Sequence, residues 1–235
     1  MKVLIIIPAY NESETIKDVI AELKKTVPEY EYVVINDCST DATEQILKSN
    51  KFNYINVPVN LGIGGGVQTG YRYASERGYD ITVQLDGDGQ HRPDYIDAIV
   101  KPVERGECDM CVGSRFIEKN GFQSSFMRRV GIVFLRGLIK LNCGVSVSDT
   151  TSGFRACSKE LTKHFADHYA QDYPEPEAIV SAVLAGFTVG EASVLMRERQ
   201  GGKSSINPLR SAYYMFKVSL AIILGRLSTK RVKRR

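Results

Sequence analysis

Residues 81–94 read ITVQLDGDGQHRPD, and this stretch decides the fold class. The apolar run Ile81–Leu85 ends at Asp86 and Asp88, two carboxylates that are separated by one glycine. A short continuous apolar run is typical of a parallel strand that is buried on both faces of a sheet. The stretch therefore predicts a buried strand with an acidic loop at its carboxyl end.

Similar apolar runs occur elsewhere in the first half of the chain, and helical patterns separate them. The other predicted strands are Val3–Ile7, Tyr32–Ile35, Tyr54–Val57 and Met110–Gly113. The predicted helices cover residues 13–27, 41–50, 64–78 and 92–104, with Ser13 and Asp41 as N-caps and Pro93 in a first turn. This alternation predicts an α/β fold, with a doubly wound, mostly parallel sheet and helices on both faces.

Polar loops follow the first four predicted strands. Their sequences are PAYNE at 8–12, NDCSTD at 36–41, NLGIGGG at 60–66 and DGD at 86–88. In doubly wound sheets, ligands bind beyond the carboxyl ends of the strands. The four loops together therefore predict one ligand-binding crevice.

The two aspartates of the last loop are predicted to hold Mg²⁺ or Mn²⁺. A calcium loop of the EF-hand type needs glycine at its sixth position and glutamate at its twelfth, where this chain has His91 and Asp97. A dinucleotide fingerprint also fails, because Val67 stands where close packing reserves glycine or alanine. A site with two carboxylates suits a magnesium-type ion whose remaining ligands are phosphate oxygens and water.

Charge is distributed unevenly along the 235 residues. The net charge is +4, yet residues 197–235 alone carry eleven Lys and Arg against Glu198, which leaves the preceding residues acidic. A basic tail predicts an anionic partner. Nucleic acid is disfavoured, because aromatic residues do not alternate with the tail's charges. The five cysteines show no disulfide framework and no leader is recognised, so we expect reduced thiols and a cytoplasmic location.

Eight motifs in a fixed order resemble glycosyltransferase family 2, which has the GT-A nucleotide-sugar-binding fold. The motifs are IIPAYNE, VVINDCSTDAT, NLGIGGGVQTGYRYA, VQLDGDGQH, VGSRF, SDTTSGFRA, DYPEPE and RERQGGKSSI. Within the family the chain looks most like the dolichol- and polyprenyl-phosphate sugar synthases. The resemblance spans residues 1–206, which we expect to form the catalytic domain, with an amphipathic helix and a basic tail at 207–235.

The resemblance implies an inverting transferase that moves a hexose or N-acetylhexosamine from a nucleotide diphosphate sugar. A UDP-sugar is favoured as donor and a polyprenyl (undecaprenyl) phosphate as acceptor, at the cytoplasmic membrane face. Two alternatives stay open. One is transfer to a sugar hydroxyl in cell-wall or surface polysaccharide synthesis, and the other is a non-catalytic scaffold that binds a nucleotide sugar.

The resemblance also assigns roles to individual residues. The nucleotide ligands are Pro8, Tyr10, Glu12, Asp37, Gly62, Gly64 and Asp86, with Glu12 on the ribose and Asp37 on the base. The metal-binding D-x-D pair is Asp86 and Asp88, and Gln90 is either a third ligand or a loop residue. The catalytic candidates are Asp88, Arg115 and Arg199, with Glu175 or Glu177 as base. The candidates for the acceptor phosphate are Arg128, Arg129, Arg155, Lys203 and Ser204.

Two segments have the pattern of helices that lie on a membrane surface. In residues 206–228 an apolar stripe recurs at steps of three and four and consists of Leu209, Tyr213, Phe216, Leu220, Ile223 and Leu227. Residues 126–141 combine apolar and basic side chains in the same way. We expect both to bind an anionic membrane peripherally, with a small membrane protein or self-association as further partners. A core-packing helix followed by a basic tail is the open alternative.

Overall fold

The computed structural model describes residues 1–118, 126–172, 174–198 and 217–223. The strands are β1 (Val3–Ala9), β2 (Glu31–Asn36), β3 (Tyr54–Asn56), β4 (Ile81–Gln84), β5 (Met110–Ser114), β6 (Arg155–Ser158) and β7 (Val189–Ser193). The helices are α1 (Ile16–Thr26), α2 (Thr43–Ser49), α3 (Gly62–Glu76), α4 (Ile96–Glu104), α5 (Phe126–Cys143), α6 (Lys159–Asp167) and α7 (Pro174–Leu184). Residues 217–223 are also helical.

The strands form one sheet in the order β3-β2-β1-β4-β6-β5-β7. All neighbouring strands are parallel except where β6 lies antiparallel between β4 and β5. Every residue of β1 is buried, and apolar side chains from the two faces of the sheet enter two separate core clusters. The predicted doubly wound, mostly parallel α/β fold is therefore confirmed.

All five predicted strands are present, but the sequence pattern predicts neither β6 nor β7. Strand β6 begins with an arginine and has the sequence RACS, whereas β7 reads VGEAS and contains glycine and glutamate. Neither segment has the continuous apolar run that identifies a buried strand. Their place in the sheet is decided by pairing with β4 and β5, which long-range packing determines.

The predicted helix starts are only partly confirmed. Helix α1 follows Thr15, so Ser13 is not its N-cap. Helix α2 follows Ala42, one residue later than predicted, although the Asp41 carboxylate still accepts a hydrogen bond from the Thr43 N–H at 2.9 Å. Pro93 lies in the first turn of a short 3₁₀ helix, as predicted. Side-chain oxygens thus cap these helices less regularly than the sequence suggests.

The C-terminal helical residues pack into the protein core. Val218 and Ile222 are fully buried in the same cluster as Leu135 and Ile139 of α5, whereas Leu220 remains exposed. The predicted membrane-facing arrangement is therefore incomplete, because one face of this helix is a core face. Of the predicted stripe, Leu220 and Ile223 are both exposed, whereas its other members and the predicted division at residue 206 lie outside the described residues. Among the described helices, none is long and apolar enough to cross a bilayer.

Helix α3 lies close against β1, and Gly70 permits this approach. A Cβ atom at Gly70 would overlap the side chain of Ile6, which is fully buried. Gly137 on α5 has no heavy atom within 4 Å of the corresponding position. The two helical glycines therefore form a matched pair, one with no space for a methyl group and one with open space.

We expect Gly70→Ala to destabilise the protein by about 1–3 kcal/mol, because overpacking forces the core to shift. The control Gly137→Ala should stabilise by up to about 1 kcal/mol, since alanine favours a helix more than glycine does. Urea unfolding followed by circular dichroism measures both free energies. Equal stability of the two variants would contradict the close packing of α3 on β1.

Candidate active site

Three of the predicted polar loops meet at the carboxyl edge of the sheet. The Thr15 hydroxyl, just after β1, donates to the Gly87 carbonyl in the loop after β4 at 2.8 Å. The Asp37 N–H, just after β2, donates to the Ala9 carbonyl at 2.8 Å. The end of β1 and the loop that follows it are therefore hydrogen-bonded to the residues after β2 and to the loop after β4, so that these polar residues lie at one edge of the sheet.

The two aspartates after β4 differ in exposure. The side chain of Asp86 is 29 % exposed, whereas Asp88 as a residue is only 2 % exposed. The Asp88 carboxylate accepts a hydrogen bond from the Gln90 N–H at 3.0 Å. Gln90 thus contributes its main chain to the loop, and its role as a third metal ligand stays a prediction.

The donor set at Asp86 and Asp88 fits a hard divalent cation. Carboxylate oxygens are the ligands that Mg²⁺ and Mn²⁺ prefer. In the described parts of the chain, no group of three or more His, Cys, Asp or Glu side chains forms a closed metal cage. Two carboxylates without a cage leave coordination positions for phosphate oxygens and water, which suits an ion that is bound together with a nucleotide diphosphate.

His91 holds Asp86 in place, a role that the sequence analysis missed. Its Nδ1 accepts a hydrogen bond from the Asp86 N–H at 3.1 Å, so the ring proton is on Nε2, which lies 3.7 Å from the Asp86 carboxylate. The ring is buried and stacks on Phe154, with 5.0 Å between centroids. The position of His91 in the sequence, directly after the acidic loop, could have indicated this role.

The loop between β3 and α3 reaches the buried carboxylate of Asp37. The Leu61 N–H donates to Asp37 Oδ1 at 2.7 Å. Burial raises the pKa of the Asp37 carboxyl, and the N–H groups of Leu61 and Gly62 act in the opposite direction. Asp37 is therefore fixed at the start of α3, where its contact with a nucleotide base stays a prediction.

The two predicted glycines of this loop have different surroundings. Gly62 has a left-handed φ of +73°, and a Cβ there would face open space. A Cβ at Gly64 would overlap the main chain at Ala170 and Gln171. Gly64 is thus required for packing against residues 170–171, and contact of either glycine with the nucleotide stays a prediction.

The loop after β1 presents the other predicted nucleotide ligands. The Glu12 N–H donates to the Thr43 hydroxyl at 2.9 Å, and its carboxylate accepts from Thr15 at 3.1 Å. Pro8 is buried, whereas Tyr10 is exposed at the mouth of the crevice. Glu12, Tyr10 and Pro8 therefore lie together at the end of β1, and their contact with a nucleotide stays a prediction.

Arg115 forms a buried ion pair with Asp149. The guanidinium binds both carboxylate oxygens, with Nε–Oδ2 at 2.7 Å and Nη2–Oδ1 at 2.8 Å. This bidentate pair links the end of β5 to the loop before β6 and is a strong geometry for arginine. Asp149 was not singled out in the sequence, although it lies within the SDTTSGFRA motif. A catalytic role of Arg115 stays a prediction beside this structural one.

Glu175 and Glu177 both lie in the first turn of α7. Burial and the neighbouring carboxylate of Asp172 raise the pKa of Glu177, while Lys217 acts in the opposite direction. Lys217 is also in an ion pair with Asp172, which ties the C-terminal helical residues to this turn. The raised pKa suits a proton acceptor, but the choice between the two glutamates stays open.

The predicted phosphate-binding residues differ in their exposure, and several of them lie outside the described residues. Arg129 is exposed on α5, and Arg155 is fully buried in β6. The burial of Arg155 argues against its direct contact with an acceptor phosphate. The side chain of Arg128, together with Arg199, Lys203 and Ser204, lies outside the described residues.

Comparisons with known proteins agree on the family to which this chain is similar. The family model described as "Glycosyl transferase family 2" matches residues 4–165. The polyprenol monophosphomannose synthase of Mycolicibacterium smegmatis is 26 % identical over 98 % of this chain and 90 % of its own length. The UDP-N-acetylglucosamine–dolichyl-phosphate N-acetylglucosaminyltransferase of Methanococcus voltae is 32 % identical over 82 % of this chain and 84 % of its own.

Among solved structures, a similar fold occurs in glucosyl-3-phosphoglycerate synthase from Mycobacterium tuberculosis, crystallised with Mn²⁺, UDP and phosphoglyceric acid. The TM-score is 0.72 at 21 % identity, covering 98 % of this chain and 80 % of the other. At that identity the likeness shows the fold alone, which agrees with the predicted GT-A architecture. On the match of its family model, this chain belongs to glycosyl transferase family 2.

Proposed function

We propose that the chain is an inverting, metal-dependent glycosyltransferase that moves a hexose or N-acetylhexosamine from a nucleotide diphosphate sugar to a polyprenyl phosphate. A UDP-sugar is the favoured donor. The observation that carries the proposal is that the β1–α1 loop, which presents Glu12, is hydrogen-bonded to the Asp86–Asp88 loop, while Asp37 is bonded to the end of β1. The two relatives named for polyprenol and dolichyl phosphate support the choice of acceptor.

Each of these groups has a chemical task in the transfer. Mg²⁺ or Mn²⁺, held by Asp86 and Asp88, would stabilise the charge that develops on the diphosphate leaving group. Asp37 accepts a hydrogen bond from the base, and Glu12 accepts from the ribose. His91 keeps the Asp86 carboxylate oriented through its hydrogen bond to the Asp86 main chain.

The charge of the acceptor determines how much base catalysis is needed. A phosphate monoester is already anionic near pH 7, since its second pKa is about 6. It attacks the anomeric carbon without losing a proton and requires cations to position it, for which Arg129 is available on α5. A sugar hydroxyl must lose a proton, and Glu175 or Glu177 would then act as base.

The metal site predicts the behaviour of an Asp88→Asn variant. Asparagine keeps an oxygen that accepts from the Gln90 N–H but loses the negative charge, so we expect transfer to fall at least about 100-fold with the fold unchanged. The control is Asp94→Asn, which removes an exposed carboxylate paired with Arg92. Release of nucleotide diphosphate measures turnover. Wild-type turnover of Asp88→Asn in the presence of EDTA would contradict a metal-dependent transferase.

A matrix of donors and acceptors tests the proposed reaction. UDP- and GDP-sugars are each combined with undecaprenyl phosphate or with an oligosaccharide that offers only hydroxyl groups, and nucleotide diphosphate release is followed. We expect release to require undecaprenyl phosphate and to be fastest with a UDP-sugar. Release with the hydroxyl acceptor alone would instead favour polysaccharide synthesis. Binding of UDP without turnover in any combination would favour a scaffold.

Peripheral binding to the inner face of an anionic membrane completes the proposal. Helix α5 exposes an apolar face in the described structure, with Val133 at 67 %, Phe134 at 55 % and Leu141 at 77 % exposure. Arg136 and Lys140 on the same helix are also exposed. Apolar side chains beside basic ones suit insertion into the headgroup region of anionic lipids.

We expect Phe134→Asp to weaken binding to vesicles of phosphatidylglycerol and phosphatidylcholine at least about 10-fold, because a charge replaces an inserted ring. Val59→Asp is the control, since Val59 is a similarly exposed apolar residue on the loop before α3. Vesicle co-sedimentation measures the binding. If the wild-type protein does not sediment with the vesicles, docking instead requires a small membrane protein or self-association.

A further inference from the structure

Arg155 is a buried cation with an unusual set of partners. It is 0 % exposed, and within the described ranges no carboxylate forms an ion pair with it. Removing a guanidinium from water is costly unless its N–H groups are satisfied. An apolar side chain of similar volume is often the more stable choice at such a position. The hydrogen bonds of Arg155 must therefore explain why an arginine is present.

The guanidinium donates to two main-chain carbonyls from different parts of the chain. Nη2 donates to the Ser152 carbonyl, and Nη1 donates to the Glu175 carbonyl at 3.3 Å. Among the residues that the structure describes, none accepts a hydrogen bond from Nε. Arg155 thus connects the loop that precedes β6 to the first turn of α7.

The bond from Arg155 to the Ser152 carbonyl is made next to Asp86. Gly153 follows Ser152, and a Cβ at Gly153 would lie 3.3 Å from both carboxylate oxygens of Asp86. Gln84 pairs with Arg155 across the β4–β6 ladder, and its side-chain amide donates to Asp86 at 3.4 Å. Arg155 is therefore the ladder partner of a residue that contacts Asp86, and both belong to a buried polar layer at the end of β4.

The second connection leads to the candidate base. Glu175 and Glu177 occupy the same helical turn, so that a fixed Glu175 main chain also fixes the origin of the Glu177 side chain. The hydroxyl of Tyr169, which follows α6, donates to the Gln84 side-chain carbonyl at 3.4 Å and belongs to the same polar layer. One buried guanidinium thus joins the loop before β6, in which Gly153 lies close to Asp86, to the start of α7.

We propose that Arg155 is a positioning residue that fixes the first turn of α7 relative to Asp86, and not a ligand of the acceptor phosphate. The inference rests on the proposed function, because the elements that it joins are the metal site and the candidate base of that reaction. The side chain of Arg155 is 0 % exposed and both of its Nη groups already donate to main-chain carbonyls, so it sets the geometry in which the acceptor meets the donor rather than binding the acceptor.

The kinetic test uses Arg155→Met, which keeps an unbranched side chain in the core but donates no hydrogen bond. We expect kcat to fall at least about 10-fold, because small displacements of reacting groups are costly, while KM for undecaprenyl phosphate changes less than about threefold. Arg72→Met is the matched control, since Arg72 also donates to a main-chain carbonyl, that of Ala166 at 2.9 Å, but is exposed. A large rise in KM for undecaprenyl phosphate at unchanged kcat would make Arg155 a phosphate ligand and overturn the proposal.

Hydrogen exchange gives a second readout that does not depend on the reaction. In Arg155→Met we expect faster amide exchange in peptides covering residues 174–180, with exchange in β1 and β2 unchanged and the affinity for Mn²⁺ with UDP within about threefold of wild type. Unchanged exchange at 174–180 would overturn the proposal even if the enzyme transfers to another acceptor. If Arg155→Met does not fold, Arg155→Lys replaces it, because lysine keeps the charge but lacks the planar fork whose two Nη groups donate to separate carbonyls, and the same two outcomes decide.

Discussion

Asp86 and Asp88, which are separated by one glycine, place two negative charges at the end of a buried strand. The organisation of the site depends on this constraint. Like charges at such a distance disfavour each other unless a cation or hydrogen-bond donors compensate them. The surroundings supply donors in a fixed arrangement, with N–H groups and the His91 ring oriented by the main chain. The remaining positions around the carboxylates suit a divalent cation and the phosphates that it carries.

The parallel sheet brings the other components to the same edge. Because β1, β2 and β4 run in one direction, their carboxyl ends present Glu12, Asp37 and Asp86 to a common crevice. Antiparallel β6 enters from the opposite direction, so that its first residue, Arg155, lies beside the last residue of β4. The change in strand direction thus adds a buried polar layer beneath the loops.

The fold and the acidic loop could be predicted from the sequence because both depend on local patterns. Continuous apolar runs identify buried strands, and the loop residues lie next to them in the chain. The Arg115–Asp149 pair could not be predicted in the same way, since the partners are 34 residues apart and neither lies in a periodic segment. For the C-terminal helical residues the periodicity indicated a helix, but only tertiary packing decides that Val218 and Ile222 face the core.

The most direct measurement is anomalous diffraction from crystals of the protein grown with Mn²⁺ and UDP. Our interpretation predicts one Mn²⁺ peak bonded to the carboxylates of Asp86 and Asp88, with the diphosphate completing its coordination and the uracil against Asp37. A manganese peak at another part of the chain, or UDP bound away from the loops after β1, β2 and β4, would contradict it.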